Sequence, residues 1–164
     1  MSRFAQAKVE RELHRVRAAC LALPETSERL SHGGPAFFVR TSLAGVQGGR
    51  PPSARNTVCF VMFLDDHHDD GRLAIWCAAP EGVQAEMTET EPGRFFRPPY
   101  VGHRGWLGVE LAEVSMSELS AICREAFCAV APPTVLKRLT WPGSRADDPR
   151  TSEPNNAFPF GERG

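Results

Sequence analysis

The seven consecutive residues Val58-Cys59-Phe60-Val61-Met62-Phe63-Leu64 are all apolar. An apolar run of this length without a helical period is typical of a β-strand that is buried on both faces. We therefore predict the central strand of a sheet, covered by helices on one face and by a second layer on the other. A dimer partner or the C-terminal segment of the chain is the candidate for that second layer.

Three helices are predicted around this strand. The first ends at Pro24 and is marked by apolar residues that recur every three or four positions. These residues are Val9, Leu13, Val16, Cys20 and Leu23. A short helix is predicted to begin at Pro80, since proline suits a first turn, and to end at Thr90. A capping box formed by Ser115 and Glu118 starts the third helix, which is long and amphipathic.

Four shorter segments are predicted to be antiparallel strands of the same sheet. They are residues 28–32, 36–40, 72–78 and 106–111, and the first two form a hairpin whose turn is Gly33-Gly34-Pro35. The elements together predict a two-layer α+β domain, with an antiparallel sheet of about five strands and the helices packed mainly on one face. We expect a single domain over residues 1–139, followed by a polar C-terminal tail rich in proline and glycine over residues 140–164.

The composition predicts a soluble domain without a strong electrostatic field. The 164 residues are 41% hydrophobic and carry a net charge of −1, with 19 Lys and Arg against 20 Asp and Glu. Any affinity for a polyanion must therefore come from local clustering of cations. No apolar run approaches the roughly 20 residues that cross a bilayer, so we expect a cytoplasmic protein without membrane contact. The five cysteines lack a C-x-x-C spacing and are predicted to be small buried apolar residues.

The segment from Arg94 to Trp106 is the most informative about function. It combines three arginines, the only tyrosine of the chain and a histidine with glycines and prolines, which predicts an exposed loop. Cations beside aromatic rings suit a phosphate or a nucleic-acid base. The candidate contact residues are Arg94, Arg97, Tyr100, His103, Arg104 and Trp106. For His103 and Trp106 the structural alternatives, a backbone-bonded histidine and a core indole, stay open.

The sequence predicts no catalytic residue, cofactor or metal site. No Ser, Cys or carboxylate is placed by sequence beside His103, so a nucleophile and a base cannot be paired. The run Asp65-Asp66-His67-His68-Asp69-Asp70 offers imidazoles and carboxylates, but a hairpin tip splays adjacent side chains apart. We interpret this run as a charged turn, whose acidic side chains would repel a phosphate backbone.

Several motifs together resemble the MmcQ/YjbR family of small bacterial proteins. They are Leu23-Pro24-Glu25-Thr26 after the first helix, Phe96-Arg97-Pro98-Pro99-Tyr100, and Gly102-His103-Arg104-Gly105-Trp106. The resemblance covers residues 9–139. It implies a compact α+β fold similar to that of the frataxin-like CyaY proteins, with a double-wing mode of DNA binding.

Two functions follow as hypotheses. The resemblance implies a non-enzymatic protein that binds DNA weakly and without sequence preference, through the arginines and Tyr100 of the loop. The alternative is a module that binds a protein or a small anionic ligand on the sheet face, with a homodimer through that face as one form. Salt separates the two hypotheses, since phosphate contacts weaken steeply with salt whereas apolar contacts do not.

Overall fold

The computed structural model describes residues 2–43 and 52–140 of the chain. Its helices are α1 (Gln6–Leu21), α2 (Val83–Thr90), α3 (Met116–Val130) and α4 (Pro133–Leu136). Its strands are β1 (Thr26–Ser31), β2 (Gly34–Arg40), β3 (Thr57–Asp65), β4 (Leu73–Cys77), β5 (Phe95–Phe96) and β6 (Leu107–Glu110). The predicted C-terminal tail lies outside the described residues except for Thr140, and residues 44–51 between β2 and β3 lie outside them as well.

The predicted α+β class is confirmed. The described strands form one antiparallel sheet in the spatial order β1-β2-β3-β4-β6-β5, and α1 and α3 pack together on one face of it. β3 lies inside the sheet between β2 and β4, as its uninterrupted apolar sequence predicts. Among these residues, no helix has both the length and the apolar character that a membrane span requires.

The hydrophobic core lies between the sheet and the two long helices. The rings of Phe60 on β3 and Phe127 on α3 meet edge to face, with their centroids 5.8 Å apart, and both residues are completely buried. The predicted capping box starts α3: the hydroxyl of Ser115 accepts from the backbone N–H of Glu118 at 3.2 Å, and the Glu118 carboxylate accepts from the backbone N–H of Ser115 at 2.8 Å. Helix periodicity and capping chemistry therefore determined this layer as expected.

Among the described residues the sheet has six strands, where about five were predicted. The additional strand is Phe95–Phe96, which pairs with β6 as a short edge. The first hairpin also differs, because its turn is His32-Gly33 instead of Gly33-Gly34-Pro35. Both turn residues have positive φ, 52° and 86°, as a two-residue type I′ turn requires, so the next residue already belongs to β2.

The short helix α2 begins three residues later than predicted. Pro80 was expected in its first turn, but α2 starts at Val83. Gly82 has a positive φ of 85°, which L-residues rarely adopt and which separates Pro80 from the helix.

Candidate functional site

One face of the sheet is turned away from the helices, and we call it the second sheet face. Phe63 of β3 is 3% exposed and belongs to the hydrophobic core under the helices, whereas its neighbours Met62 and Leu64 are only partly buried, and side chains alternate between the two faces of a strand. On that face the strand register places six residues in one row across the whole sheet. In order from β1 to β5 they are Arg29, Ala36, Met62, Trp76, Gly108 and Phe96.

A pocket of 430 Å³, which we call the sheet pocket, lies on this second sheet face. Its floor includes Met62, Leu64 and Trp76. Its walls come from the β1–β2 hairpin, the β3–β4 loop and the β5–β6 loop, which contribute Ser31, His32, His67, His68, Tyr100 and Val101. None of the described residues that line the pocket is a Lys, Arg, Asp or Glu. The pocket is therefore largely apolar, with hydroxyl, imidazole and indole groups as its polar features.

Three rings form an aromatic cap over the sheet pocket: His67, His68 and Tyr100. The ring centroids of His67 and His68 lie 4.1 Å apart, and the Tyr100 centroid lies 6.0 Å from that of His68 and 6.4 Å from that of His67. His67 also meets the indole of Trp76 edge-on, at 5.2 Å between centroids. Trp76 is only 3% exposed.

The residues around the pocket have an unusual backbone. His68 and Tyr100 in the cap have φ values of 55° and 64°, and His32 at the other wall has a φ of 52°. A residue with a side chain in this left-handed region costs of order 1–3 kcal/mol, and such residues cluster at binding and switch sites. The presence of three such residues around one cavity supports its choice as the candidate site.

Asp66 anchors the β3–β4 loop that carries two of the cap rings. Its carboxylate accepts hydrogen bonds from the backbone N–H of Gly71 at 2.8 Å and from the backbone and side chain of Arg3, both at 3.1 Å. Burial opposes the charge of Asp66, but these hydrogen bonds outweigh it and lower the pKa of the carboxyl group. The cap histidines therefore extend from a loop that the hydrogen bonds of Asp66 hold in place.

Two polar groups of the sheet pocket, the ring of His67 and the indole of Trp76, are partly or fully buried. Burial and the neighbouring His68 lower the pKa of His67, although Asp70 acts in the opposite direction, so its ring is uncharged at neutral pH. The indole Nε1 of Trp76 is buried and has no hydrogen-bond partner among the described residues. Since an unpaired buried donor costs about 1–3 kcal/mol, a ligand that supplied an acceptor would recover this energy.

The YjbR family model matches residues 21–129, which is more than half of the chain. The chain belongs to the YjbR family. This match confirms the resemblance predicted from the motifs of the sequence.

The structure of a second protein is similar to this YjbR-family chain. It is the crystal structure of Deinococcus radiodurans protein DR2400, described with the domain DUF419, and its TM-score is 0.57. The similarity covers 82% of this chain and 92% of that one at 16% sequence identity, a level at which it concerns the fold alone. No curated protein matches the chain significantly.

In this YjbR-family chain, the side chain of Arg94 forms ion pairs and a hydrogen bond within the fold. Its guanidinium lies 2.7 Å from the Glu91 carboxylate and 2.9 Å from the Glu118 carboxylate, and it donates to the carbonyl oxygen of Glu113 at 3.1 Å. Burial opposes its charge, but the hydrogen bonds to both carboxylates outweigh it and raise the pKa of Arg94. The side chain thus ties the end of α2 to the start of α3, and its predicted contact with a ligand stays a prediction.

The other two arginines of the loop are exposed and form no ion pair with the described residues. Arg97 packs its aliphatic stem against Gly102, where a β-carbon would lie 2.7 Å from Arg97 Cγ. The guanidinium of Arg104 lies 5.7 Å from the ring centroid of Trp106. Trp106 itself is 5% exposed and belongs to the hydrophobic core, in line with the structural alternative stated for it.

Tyr100 and His103 both lie on the surface of the β5–β6 loop. His103 is exposed within the short 3-10 turn Gly102–Arg104 and forms no hydrogen bond with the part of the chain that the structure describes. Tyr100 is 69% exposed. Of the six predicted contact residues, all of them described, Tyr100 alone lines the sheet pocket.

The acidic run after β3 has a part in the site that the sequence did not reveal. We interpreted it as a charged turn, yet His67 and His68 extend from it over the second sheet face. Within residues 2–43 and 52–140, no three His, Cys, Asp or Glu side chains converge as a metal site would require.

All five cysteines are free thiols. Three of them are buried in the core as predicted: Cys20, Cys77 and Cys123. The other two, Cys59 and Cys128, are half-buried, and burial raises the pKa of each to about 11. Their thiols are therefore protonated at neutral pH and are weak nucleophiles.

The floor of the sheet pocket escaped prediction from sequence. Met62 and Leu64 were recognised as strand residues whose face needs a cover, and a dimer partner or the C-terminal segment was expected to provide it. The β3–β4 and β5–β6 loops of the same chain line this part of the face, and the cover expected from a dimer partner or the C-terminal segment stays a prediction. Residues 141–164, the alternative cover, lie outside the described residues.

Proposed function

We propose that this YjbR-family domain is a binding protein for a small molecule, and that its site is the sheet pocket under the aromatic cap. The observation that supports this proposal is the pocket itself. Its volume of 430 Å³ falls within the roughly 300–1,000 Å³ of known ligand sites. It is lined mainly by apolar and aromatic side chains with a few polar groups, as such sites are.

A neutral fluorescent dye tests the proposal. N-phenyl-1-naphthylamine becomes brighter when it leaves water for an apolar site, and we expect the wild-type protein to bind it at one site. Leu64→Gln places an amide in the floor and should weaken binding roughly tenfold, because the contact of a buried leucine is worth about 1.5–3 kcal/mol.

Leu30→Gln is the matched control for this variant. Leu30 is 78% exposed on β1 and does not line the sheet pocket, so the same substitution there should leave dye binding unchanged. Thermal unfolding of both variants verifies that they are folded. If Leu64→Gln binds the dye as well as wild type does, the dye lies elsewhere and the proposed site is wrong.

Nucleic-acid binding is the second candidate function, as the family resemblance implied. The observation in its favour is that Arg97 and Arg104, on either side of Tyr100 in the sequence, are exposed and form no ion pair with the described residues, and that Tyr100 is 69% exposed. Exposed cations suit phosphates, and an exposed ring suits a base. The net charge of −1 favours weak and non-specific affinity.

A homodimer through the second sheet face is a further form of the binding hypothesis. Such a dimer would cover the mouth of the sheet pocket, so dye binding would weaken as protein concentration rises. Dye affinity that stays constant over a hundredfold range of protein concentration would exclude this form.

A further inference from the structure

The strongest unexplained group in the sheet pocket is the indole N–H of Trp76. The residue lies in the middle of the row across the sheet and is 3% exposed, and its Nε1 lacks a hydrogen-bond partner among the described residues. Buried polar groups in native proteins are hydrogen-bonded in the great majority of cases, and an exception requires an explanation. A ligand acceptor provides one, because Trp76 lines the cavity in which that ligand would lie.

We infer that the ligand of the sheet pocket is an uncharged, flat molecule with one hydrogen-bond acceptor, and that this acceptor binds the indole N–H of Trp76. The inference rests on the proposed function of the pocket. It differs from both sequence-based hypotheses, which expected a DNA backbone in the first case and a protein or a small anionic ligand in the second.

The lack of charge follows from the lining. An ion that enters the sheet pocket would lose its hydration without meeting any Lys, Arg, Asp or Glu side chain among the described lining residues. Charged side chains gather instead in a neighbouring cavity of 380 Å³ on the other side of the aromatic cap. That cavity is lined by Asp70, Arg72 and Arg97, and it shares only the cap residues with the sheet pocket.

The flat shape follows from the rings that form the walls. Trp76 and the three cap residues offer faces and edges on which a planar molecule stacks favourably. Met62 beside them is flexible and adapts to the outline of such a molecule.

Access to the indole N–H involves the cap. The nitrogen is shielded from water, so the acceptor reaches it when a cap ring moves aside. His67 is the cap ring that lies against the indole, at 5.2 Å between centroids, so its movement would uncover the nitrogen. The same residue would then close over the bound molecule.

Three naphthalenes of nearly equal shape test the inference. They are 2-acetonaphthone, which is neutral and carries a carbonyl acceptor, 2-isopropylnaphthalene, which has no acceptor, and 2-naphthoate, which is an anion. We expect the ketone to bind about two- to tenfold more tightly than the hydrocarbon, as one added hydrogen bond provides. The naphthoate should bind more weakly than either.

Trp76→Phe removes the donor and keeps an aromatic ring in the floor. It should reduce the affinity of the ketone to that of the hydrocarbon, which serves as the internal control for the change in ring size. A second measurement does not depend on the folding of a variant: the NMR resonance of the Trp76 indole proton in the wild-type protein should shift downfield with the ketone and not with the hydrocarbon.

The outcomes separate this inference from the proposed function. If the hydrocarbon and the ketone bind equally and the indole resonance does not shift, the role of Trp76 is wrong while the pocket stands. If the naphthoate binds most tightly, the site extends to Arg97 and its ligand is an anion. If neither the naphthalenes nor the neutral dye binds, the proposed function is wrong as well.

Discussion

The ring of Phe96 occupies the space above Gly108, since a β-carbon at Gly108 would lie 2.4 Å from Phe96 Cε2. The guanidinium of Arg72 lies over the same ring, 4.1 Å from the ring centroid, and Arg72 forms an ion pair with Glu110 of β6. Glycine at this one position therefore lets the short edge strand β5 close the second sheet face beside the sheet pocket.

We predict that Gly108→Ala lowers the free energy of unfolding by about 1–3 kcal/mol, because an added methyl group in a packed site forces its neighbours out of position. Urea unfolding measures this change. Gly93→Ala is the matched control, since a β-carbon at Gly93 meets no atom within 4 Å. Equal stability of Gly108→Ala and wild type would contradict the position of the Phe96 ring.

The two-layer architecture could be predicted because its signals are local. The apolar period of α1, the capping box at Ser115 and the seven-residue run in β3 each specify one element without reference to the rest of the chain. β5 could not be predicted, since two residues carry no period. Phe95–Phe96 becomes a strand only because β6 already offers an open edge.

The sheet pocket could not be predicted because its residues are distant in sequence. Trp76 meets Met62 through strand pairing, and His67 meets Tyr100 through the packing of two loops. Neither contact leaves a periodic signal. The uninterrupted apolar run of β3 did indicate a second face in need of cover, but it carried no information about which segment supplies that cover.

Arg94 is a residue for which the sequence suggested a ligand contact, whereas the structure pairs its side chain with carboxylates of the same chain. We predict that Arg94→Gln lowers the free energy of unfolding by about 1–3 kcal/mol, since it removes the charged hydrogen bonds to Glu91 and Glu118. Arg104→Gln is the control and should change stability by less than about 0.5 kcal/mol, as expected for an exposed side chain. Chemical denaturation gives both values. If Arg94→Gln is as stable as wild type but no longer binds DNA, Arg94 contacts the ligand directly.

The lowered pKa of His67 makes stability depend on pH. Burial and His68 lower the folded-state pKa of His67 below its usual value, so the uncharged ring favours the folded protein. This stabilisation is complete above about pH 6.5. It is lost as the pH falls from there through the folded-state pKa. Asp70 opposes the shift, and the rings of Trp76 and Tyr100 lie edge-on to the His67 ring.

Urea unfolding of wild type and His67→Gln between about pH 5 and 8, where histidines titrate, measures this effect. The wild-type protein should lose more stability on acidification than His67→Gln, which lacks the titrating ring. Parallel curves for the two proteins would show that His67 titrates as it does in the unfolded chain.

The nucleic-acid hypothesis makes its own prediction about Arg97 and Arg104. If these exposed side chains contact phosphates, Arg97→Gln and Arg104→Gln should each weaken binding to a labelled duplex by the same factor for every sequence, since phosphate contacts carry no base information. Each substitution should also lower the slope of log affinity against log salt by about one.

Arg11→Gln is the control, because Arg11 is exposed on α1 in the helical layer and should leave the slope unchanged. Fluorescence anisotropy at about 50 mM salt, where screening is mild, is the most sensitive condition. If the wild-type protein binds neither single- nor double-stranded DNA there, the loop arginines do not contact phosphates, and the sheet pocket is left as the binding site of this domain.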